Sequence, residues 1–400
     1  MQYTKAFIPY GGYYSTPFIR WNGSIKHENS VKLGAATARR WFVDRQIDPT
    51  VLDFVYYGIT TAQPGSFQAH IYTSAVILDR KKEVPALQLN QICLTGATAM
   101  SLAAKDLELG GIRAGLAFGT DRISSTPLLI CPDSVTGAFS MENIVLDNFK
   151  GDPSPGAGIP MIQTAEEVAK EDGITREECD ETAALRYLQY KDALKDDRAF
   201  QKRYMFPIES HLKKKITMID QDEGVRDTDL ATLRSLQSAE EGGVITYATQ
   251  THPADGNAAV LVTDRDTAAE LSRDRAVTVQ LLAYDVIRGP AGRMSGVPAM
   301  AVRKLLADTG VKADQLRHVK THNPFIVNDI RLSKWNGIPQ ERINNYGCSL
   351  VYGHPQAPTA LRAIIELIEA LVLDGGGLGL YAGCAGGDLG GAMLLKVDVK

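Results

Sequence analysis

The chain has 400 residues, 44% of them hydrophobic and 22% charged, which suits a large folded α/β unit or a few packed domains and excludes a disordered chain. Its 43 basic and 47 acidic residues leave a net charge of -4, so no broad basic field exists to hold a nucleic acid. The N-terminal segment has no cationic stretch leading into an apolar one, and no apolar run reaches the roughly 18 residues that a membrane helix needs. The five cysteines form no CxxC pair, so neither a zinc ribbon nor a disulfide framework is signalled, and a reducing cytoplasm is the expected setting.

In chain order, helical apolar spacing over 33–45 is followed by a strand-like run over 51–57. A second helix is expected over 95–109 and a second strand over 114–118. This alternation predicts a mainly parallel sheet with helices on its faces. Residues 121–243 are rich in charge and turn formers and read as an inserted region, with helices over 164–171 and 176–194. Thr175 with Glu178 three residues on predicts a capping box for the second. Residues 244–264 read as strands around a turn at Asp255-Gly256. A strand over 317–320 ends before His322, and the apolar run 363–373 is interrupted by Glu366 and Glu369.

A repeat joins the two ends of the chain. LELGGIRAGLAFG (107–119) matches LVLDGGGLGLYAG (371–383) at a shift of 264 residues. At the same shift Arg39, Asp44, Leu52 and Val55 meet Arg303, Asp308, Leu316 and Val319. Two ungapped segments in one register point to a duplicated α/β domain. The boundaries drawn are 1–120 with 244–268 for the first half, 121–243 for the insertion and 269–400 for the second half.

The shift carries Cys93 to position 357, beside the turn Gly353-His354-Pro355. If the halves pack around a pseudo-twofold axis, two helix starts approach each other and a cysteine faces a histidine across the axis. A helix N-terminus lowers a thiol pKa through its free N–H groups, so a reactive Cys93 is expected. The small residues that follow it, Thr95, Gly96, Ala97 and Ala99, leave room for another backbone. Cys384 lies in a glycine-rich turn whose N–H groups could hold an oxyanion, and the spacing does not fit a dinucleotide fingerprint.

Four blocks together resemble the thiolase superfamily: NQICLTGATA around Cys93, HNPF at His322, YGHP at His354 and CAGG at Cys384. Segments 164–181, 222–236 and 254–262 add to the resemblance, which covers nearly the whole chain. It implies a duplicated thiolase fold with five α/β/α/β/α layers and an inserted loop domain. It implies Cys93 as the acyl-carrying nucleophile, His354 as its base and as a further holder of the thioester oxygen, His322 in the oxyanion site for an enolate, and Cys384 as the second acid/base. The N–H groups of Cys93 and Gly386 would form the other oxyanion hole. Coenzyme A would be a substrate, with no permanently bound cofactor and no metal, and would meet Arg226, Thr251, Met161 and the cluster at Lys213. The resemblance also implies a homodimer or higher oligomer through the sheet edges of the first halves, and the divergent branch often pairs with a small zinc-ribbon/OB-fold protein.

The chain departs from the usual pattern at Leu94, Pro160, the run QAPTA (356–360) and the run ATQT (248–251). These changes suggest a bulky, branched or aromatic 3-ketoacyl-CoA, with a benzoylsuccinyl-CoA thiolase as one candidate. The rival readings are a decarboxylating ketosynthase, which needs no second acid/base cysteine, and an inactive acyl-CoA-binding scaffold, which needs none of the four residues.

Overall fold

The computed structural model describes residues 1–143 and 159–400. Its main sheet runs through one continuous path, and two hairpins, 128–143 and 208–219, stand apart from it. The strands are β1 (Phe7–Ile8), β2 (Phe54–Gly58), β3 (Ala86–Leu89), β4 (Ala114–Arg122), β5 (Ala254–Thr263), β6 (Val277–Arg288), β7 (Leu316–His322), β8 (Gly376–Ala385) and β9 (Leu389–Val399). Their order across the sheet is β7-β8-β9-β6-β1-β5-β4-β2-β3. The short β1 is the bridge, pairing with β5 through Phe7 and with β6 through Phe7 and Ile8.

Parallel pairing occurs at the two ends, in β3-β2-β4 and in β7-β8, while the centre is antiparallel. The mainly parallel sheet expected from the sequence is therefore a mixed one. The reason is local: helices cross between β2 and β4 and between β7 and β8, but a three-residue turn at 386–388 folds β8 straight back onto β9.

The helices make the layers. α1 (Ser30–Asp44) and α2 (Ala69–Ile77) cover the outer face of the first half. α3 (Thr95–Glu108) packs against β4, β2 and β5 on the inner face. α4 (Met161–Asp172) and α5 (Arg176–Ala193) belong to the insertion, and α5 has the expected capping box. α6 (Val297–Thr309) covers the outer face of the second half, with α7 (Val327–Asn336) against it. α8 (Ala357–Leu373) touches α3 and strands of both halves, so α3 and α8 form the middle layer. The 264-residue shift places α1 over α6, β2 over β7, α3 over α8 and β4 over β8, as a duplicated domain requires.

α8 is buried almost all round, yet it carries Arg362, Glu366 and Glu369. A buried charge is tolerated only when paired and hydrogen-bonded. Glu366 accepts from Lys320 at 2.7 Å, Arg362 at 3.0 Å and Tyr204 at 2.7 Å. Arg362 also forks onto Asp222 at 2.6 and 2.8 Å, which ties the insertion to the middle layer. Glu369 is held by Arg203, Arg273 and Tyr13.

The turn expected at Asp255-Gly256 is absent. Both residues lie inside β5, paired with Arg122 and Asp121 of β4. Gly256 is there because the Phe18 ring packs on the strand: a Cβ would fall 2.8 Å from Phe18 Cδ1. No helix of the described residues is long and apolar enough to cross a membrane.

Candidate active site

Cys93 sits in a 3-10 turn, Ile92–Leu94, that leads directly into α3. Ile92 has a φ of 51°, a left-handed conformation that a β-branched residue adopts only under constraint. Thr95 supplies the constraint, with its hydroxyl accepting from Gln91 N and donating to Ile92 O. The start of α8 comes close because Gly96 has no side chain, and a Cβ there would lie 2.7 Å from the Ala357 carbonyl oxygen.

The two helix starts therefore meet as the repeat predicts. His354 Nε2 lies 3.0 Å from Cys93 Sγ, and His354 Nδ1 lies 2.7 Å from Thr359 Oγ1. His354 is buried rather than a surface turn residue. His322, at the end of β7, stacks on His354 with 3.9 Å between ring centroids. Its Nδ1 is 2.9 Å from Ser349 Oγ, and its Nε2 has no hydrogen-bond partner among the described residues. Cys384, near the end of β8, accepts from Asn328 Nδ2 at 3.4 Å. The backbone N–H groups of Cys93 and Gly386 both act on Cys93 Sγ.

Burial governs the electrostatics. It pushes the Cys93 thiol well above its ordinary pKa, with Cys384 adding to the rise and the two N–H groups opposing it. The lowered thiol pKa expected from a helix start is thus overturned: α3 begins at Thr95, and desolvation outweighs the N–H groups. Cys384 is pushed up to about 12 by burial. Burial lowers His322 to about 3, and it lowers His354 well below the usual range, with His322 adding to the effect. Burial thus favours the neutral form of both histidines and the protonated form of both thiols.

A cavity of about 290 Å³ opens on this cluster, lined by Cys93, His354, Cys384, Met161, Thr251 and Gln356 among others. Met161 and Thr251 thus line this cavity. A second cavity of about 290 Å³ holds Arg226 with Arg20, Trp21, Tyr247 and His252. Pro253 lines both, so the two are neighbours. Lys213 lies apart: it is exposed at the turn between Ile208–Leu212 and Lys215–Ile219 and lines neither cavity. Pro160 caps α4, one residue before Met161.

Several residues at the site escape sequence reasoning. Ser349 and Thr359 flank the Gly-His-Pro turn as ordinary hydroxyls. Asp121 accepts from Thr60 N, Thr61 N and Ala357 N, and so ties the end of β2 to the start of α8. Burial raises its carboxyl to about 7. Only the 264-residue repeat, which brings these segments together, could have drawn attention to it.

One nitrogen of each histidine and Cys93 Sγ lie within 4.8 Å of one another. This donor set suits a soft cation as well as acyl transfer. Cys384 lines the same cavity but is not one of these three donors.

Comparison with known proteins agrees with this chemistry. Residues 12–266 match the thiolase N-terminal domain family and residues 276–397 the thiolase C-terminal domain family. The chain is 28% identical to a probable acetyl-CoA acetyltransferase of Mycobacterium leprae, over 95% of this chain and 97% of that one. It is 27% identical to a 3-ketoacyl-CoA thiolase of Aliivibrio fischeri, over 96% and 94%. Human mitochondrial 3-ketoacyl-CoA thiolase has the same fold, with a TM-score of 0.88 at 22% identity and 98% of both chains covered.

Proposed function

The chain belongs to the thiolase family, and we propose that it uses Cys93 to cleave a 3-ketoacyl-CoA with CoA, or to run the reverse Claisen condensation. Its class is acyl transfer between CoA thioesters. The carrying observation is the 3.0 Å approach of His354 Nε2 to Cys93 Sγ, with Cys384 lining the same cavity.

The steps balance on these groups. His354 takes the Cys93 proton as Sγ attacks the 3-keto carbon. The N–H groups of Cys93 and Gly386 hold the tetrahedral oxyanion. The bond between C2 and C3 breaks, its electron pair passing into an enolate whose oxygen meets His322 and His354. Cys384 gives its proton to C2 and becomes a thiolate. Incoming CoA gives its thiol proton to that thiolate, its sulfur attacks the acyl group, and Cys93 recovers its proton from His354.

Coenzyme A enters as a substrate along the cavity that holds Arg226 and Arg20, whose guanidinium groups suit its phosphates. The acyl group occupies the inner cavity. Ile92, Ile162, Met161, Met294 and Phe325 give it apolar, adaptable walls, which support a bulky, branched or aromatic acyl group such as that of benzoylsuccinyl-CoA. Cys384 in the cavity favours this reaction over a decarboxylating ketosynthase, which has no use for a second acid/base thiol.

A homodimer fits the edge strand β3, which has Leu87 exposed on it and Phe67, Ile71 and Tyr72 exposed beside it on the adjoining segment and α2.

The test is acyl trapping. Incubation with acetyl-CoA followed by peptide mapping should place an acetyl group on Cys93 and leave the Cys93→Ala protein unlabelled. An acetyl group on another residue, or none, would contradict the assignment.

A further inference from the structure

We propose that Ser349 is a positioning residue that fixes the tautomer of His322, leaving the proton on Nε2, the ring nitrogen turned away from Ser349, as a hydrogen-bond donor. The tautomer itself stands on geometry; only its consequence, a donor to the enolate oxygen, rests on the thiolase reading.

Ser349 Oγ has one proton and two acceptors within reach. His322 Nδ1 is at 2.9 Å and Asn323 Oδ1 at 3.2 Å. The Asn323 amide is already oriented, because its Nδ2 donates to Asp329 Oδ2 at 2.8 Å. Its Oδ1 is already satisfied by Leu350 N at 3.2 Å. Asn323 N donates to Ser349 Oγ at 3.3 Å, so the hydroxyl lone pairs have a donor without the imidazole. The remaining need is that of His322 Nδ1, and the serine proton meets it at the shorter distance. The neutral ring then carries its own proton on Nε2, the buried nitrogen without a partner among the described residues. The opposite tautomer would leave Nε2 as a bare lone pair and put no donor there.

His354 runs the other way. To take the Cys93 proton its Nε2 must be bare, so Nδ1 carries the proton and donates to Thr359 Oγ1 at 2.7 Å. Two stacked imidazoles thus hold opposite tautomers, each set by one hydroxyl, and one acts as base while the other donates. His322 transfers no proton at any step. It only shortens a hydrogen bond as the enolate charge develops.

The experiment has two arms. In the first, 15N-histidine NMR of the full-length protein, with His322 assigned by the spectrum of His322→Asn, should show His322 in the Nε2–H tautomer, and Ser349→Ala should shift it toward Nδ1–H. A wild-type His322 in the Nδ1–H form overturns the proposal, whatever the protein catalyses. In the second, Ser349→Ala should slow C–C cleavage at least about tenfold, with acetyl transfer to Cys93 nearly unchanged. In a His322→Asn background, where an amide donates without help from a neighbour, Ser349→Ala should cost nothing further. An equal loss in that background would mean a structural role and overturn the proposal. A wild-type protein that cleaves no 3-ketoacyl-CoA would end the thiolase reading, and the NMR arm would still decide the tautomer.

Discussion

His322 and His354 stack ring on ring, 3.9 Å between centroids and 28° between planes, with no carboxylate of the described residues hydrogen-bonded to either ring. Burial lowers the pKa of both, so neither charges near neutral pH in the free enzyme. The acylation rate of the free enzyme should therefore show no inflection near the ordinary histidine value of about 6.5. The same burial sets a stability trend. The unfolded chain takes up histidine protons below about 6.5 while folded His322 resists them down to about 3, so stability falls with pH across that window. Chemical denaturation at several pH values should show a shallower acid limb for His322→Asn than for the wild type. Equal slopes would contradict the buried neutral histidine.

Because burial holds the Cys93 thiol protonated, its nucleophilicity depends on transfer to His354 during attack, not on a standing thiolate. His354→Gln should lower acylation by about 10²- to 10⁴-fold. What remains should rise tenfold per pH unit, because the thiolate must then form unaided. Acylation that stays pH-independent in that variant would remove His354 from the base role.

Cys384 is 0% exposed yet lines the cavity, and Asn328 gives its sulfur an N–H. Cys384→Ala should slow C–C cleavage while acetyl transfer to Cys93 from acetyl-CoA persists. Stopped-flow cleavage and acyl trapping on the same preparation separate the two. Equal loss of both steps would contradict the acid role.

The four residues of the cluster are legible in the sequence through the blocks that carry the resemblance, and the repeat explains why Cys93 and His354 meet. It does so because helix starts and glycine turns are local features with fixed register. The groups that tune the site are not legible in this way. Ser349, Thr359, Asn328 and Asp121 act through contacts that exist only once the two halves have closed. The sign of the Cys93 shift was hidden for the same reason, since depth of burial is a property of the packed layers. Asp255-Gly256 misleads because a pair that favours turns in isolation is held straight between two neighbours in a sheet and under Phe18. Lys213 misleads because a run of lysines does not reveal which way its hairpin points.

The middle layer depends on Glu366, which neutralises Lys320 and Arg362 in a site without solvent. Glu366→Ala should destabilise the protein by about 3–5 kcal/mol, because it leaves a buried cation uncompensated. Arg362 keeps Asp222, so the loss should centre on Lys320. Lys320→Met combined with Glu366→Leu should recover much of the stability in urea titrations. No recovery would contradict the ion-pair account.

The proposed reaction of this cluster is cleavage of a carbon–carbon bond beside a thioester. The most direct measurement is CoA-dependent cleavage of straight-chain, branched and aromatic 3-ketoacyl-CoA esters by the wild type and by Cys93→Ala. The wild type should cleave at least one ester, faster for a bulky chain than for acetoacetyl-CoA, and the variant none. Cleavage that survives in Cys93→Ala would contradict the proposal.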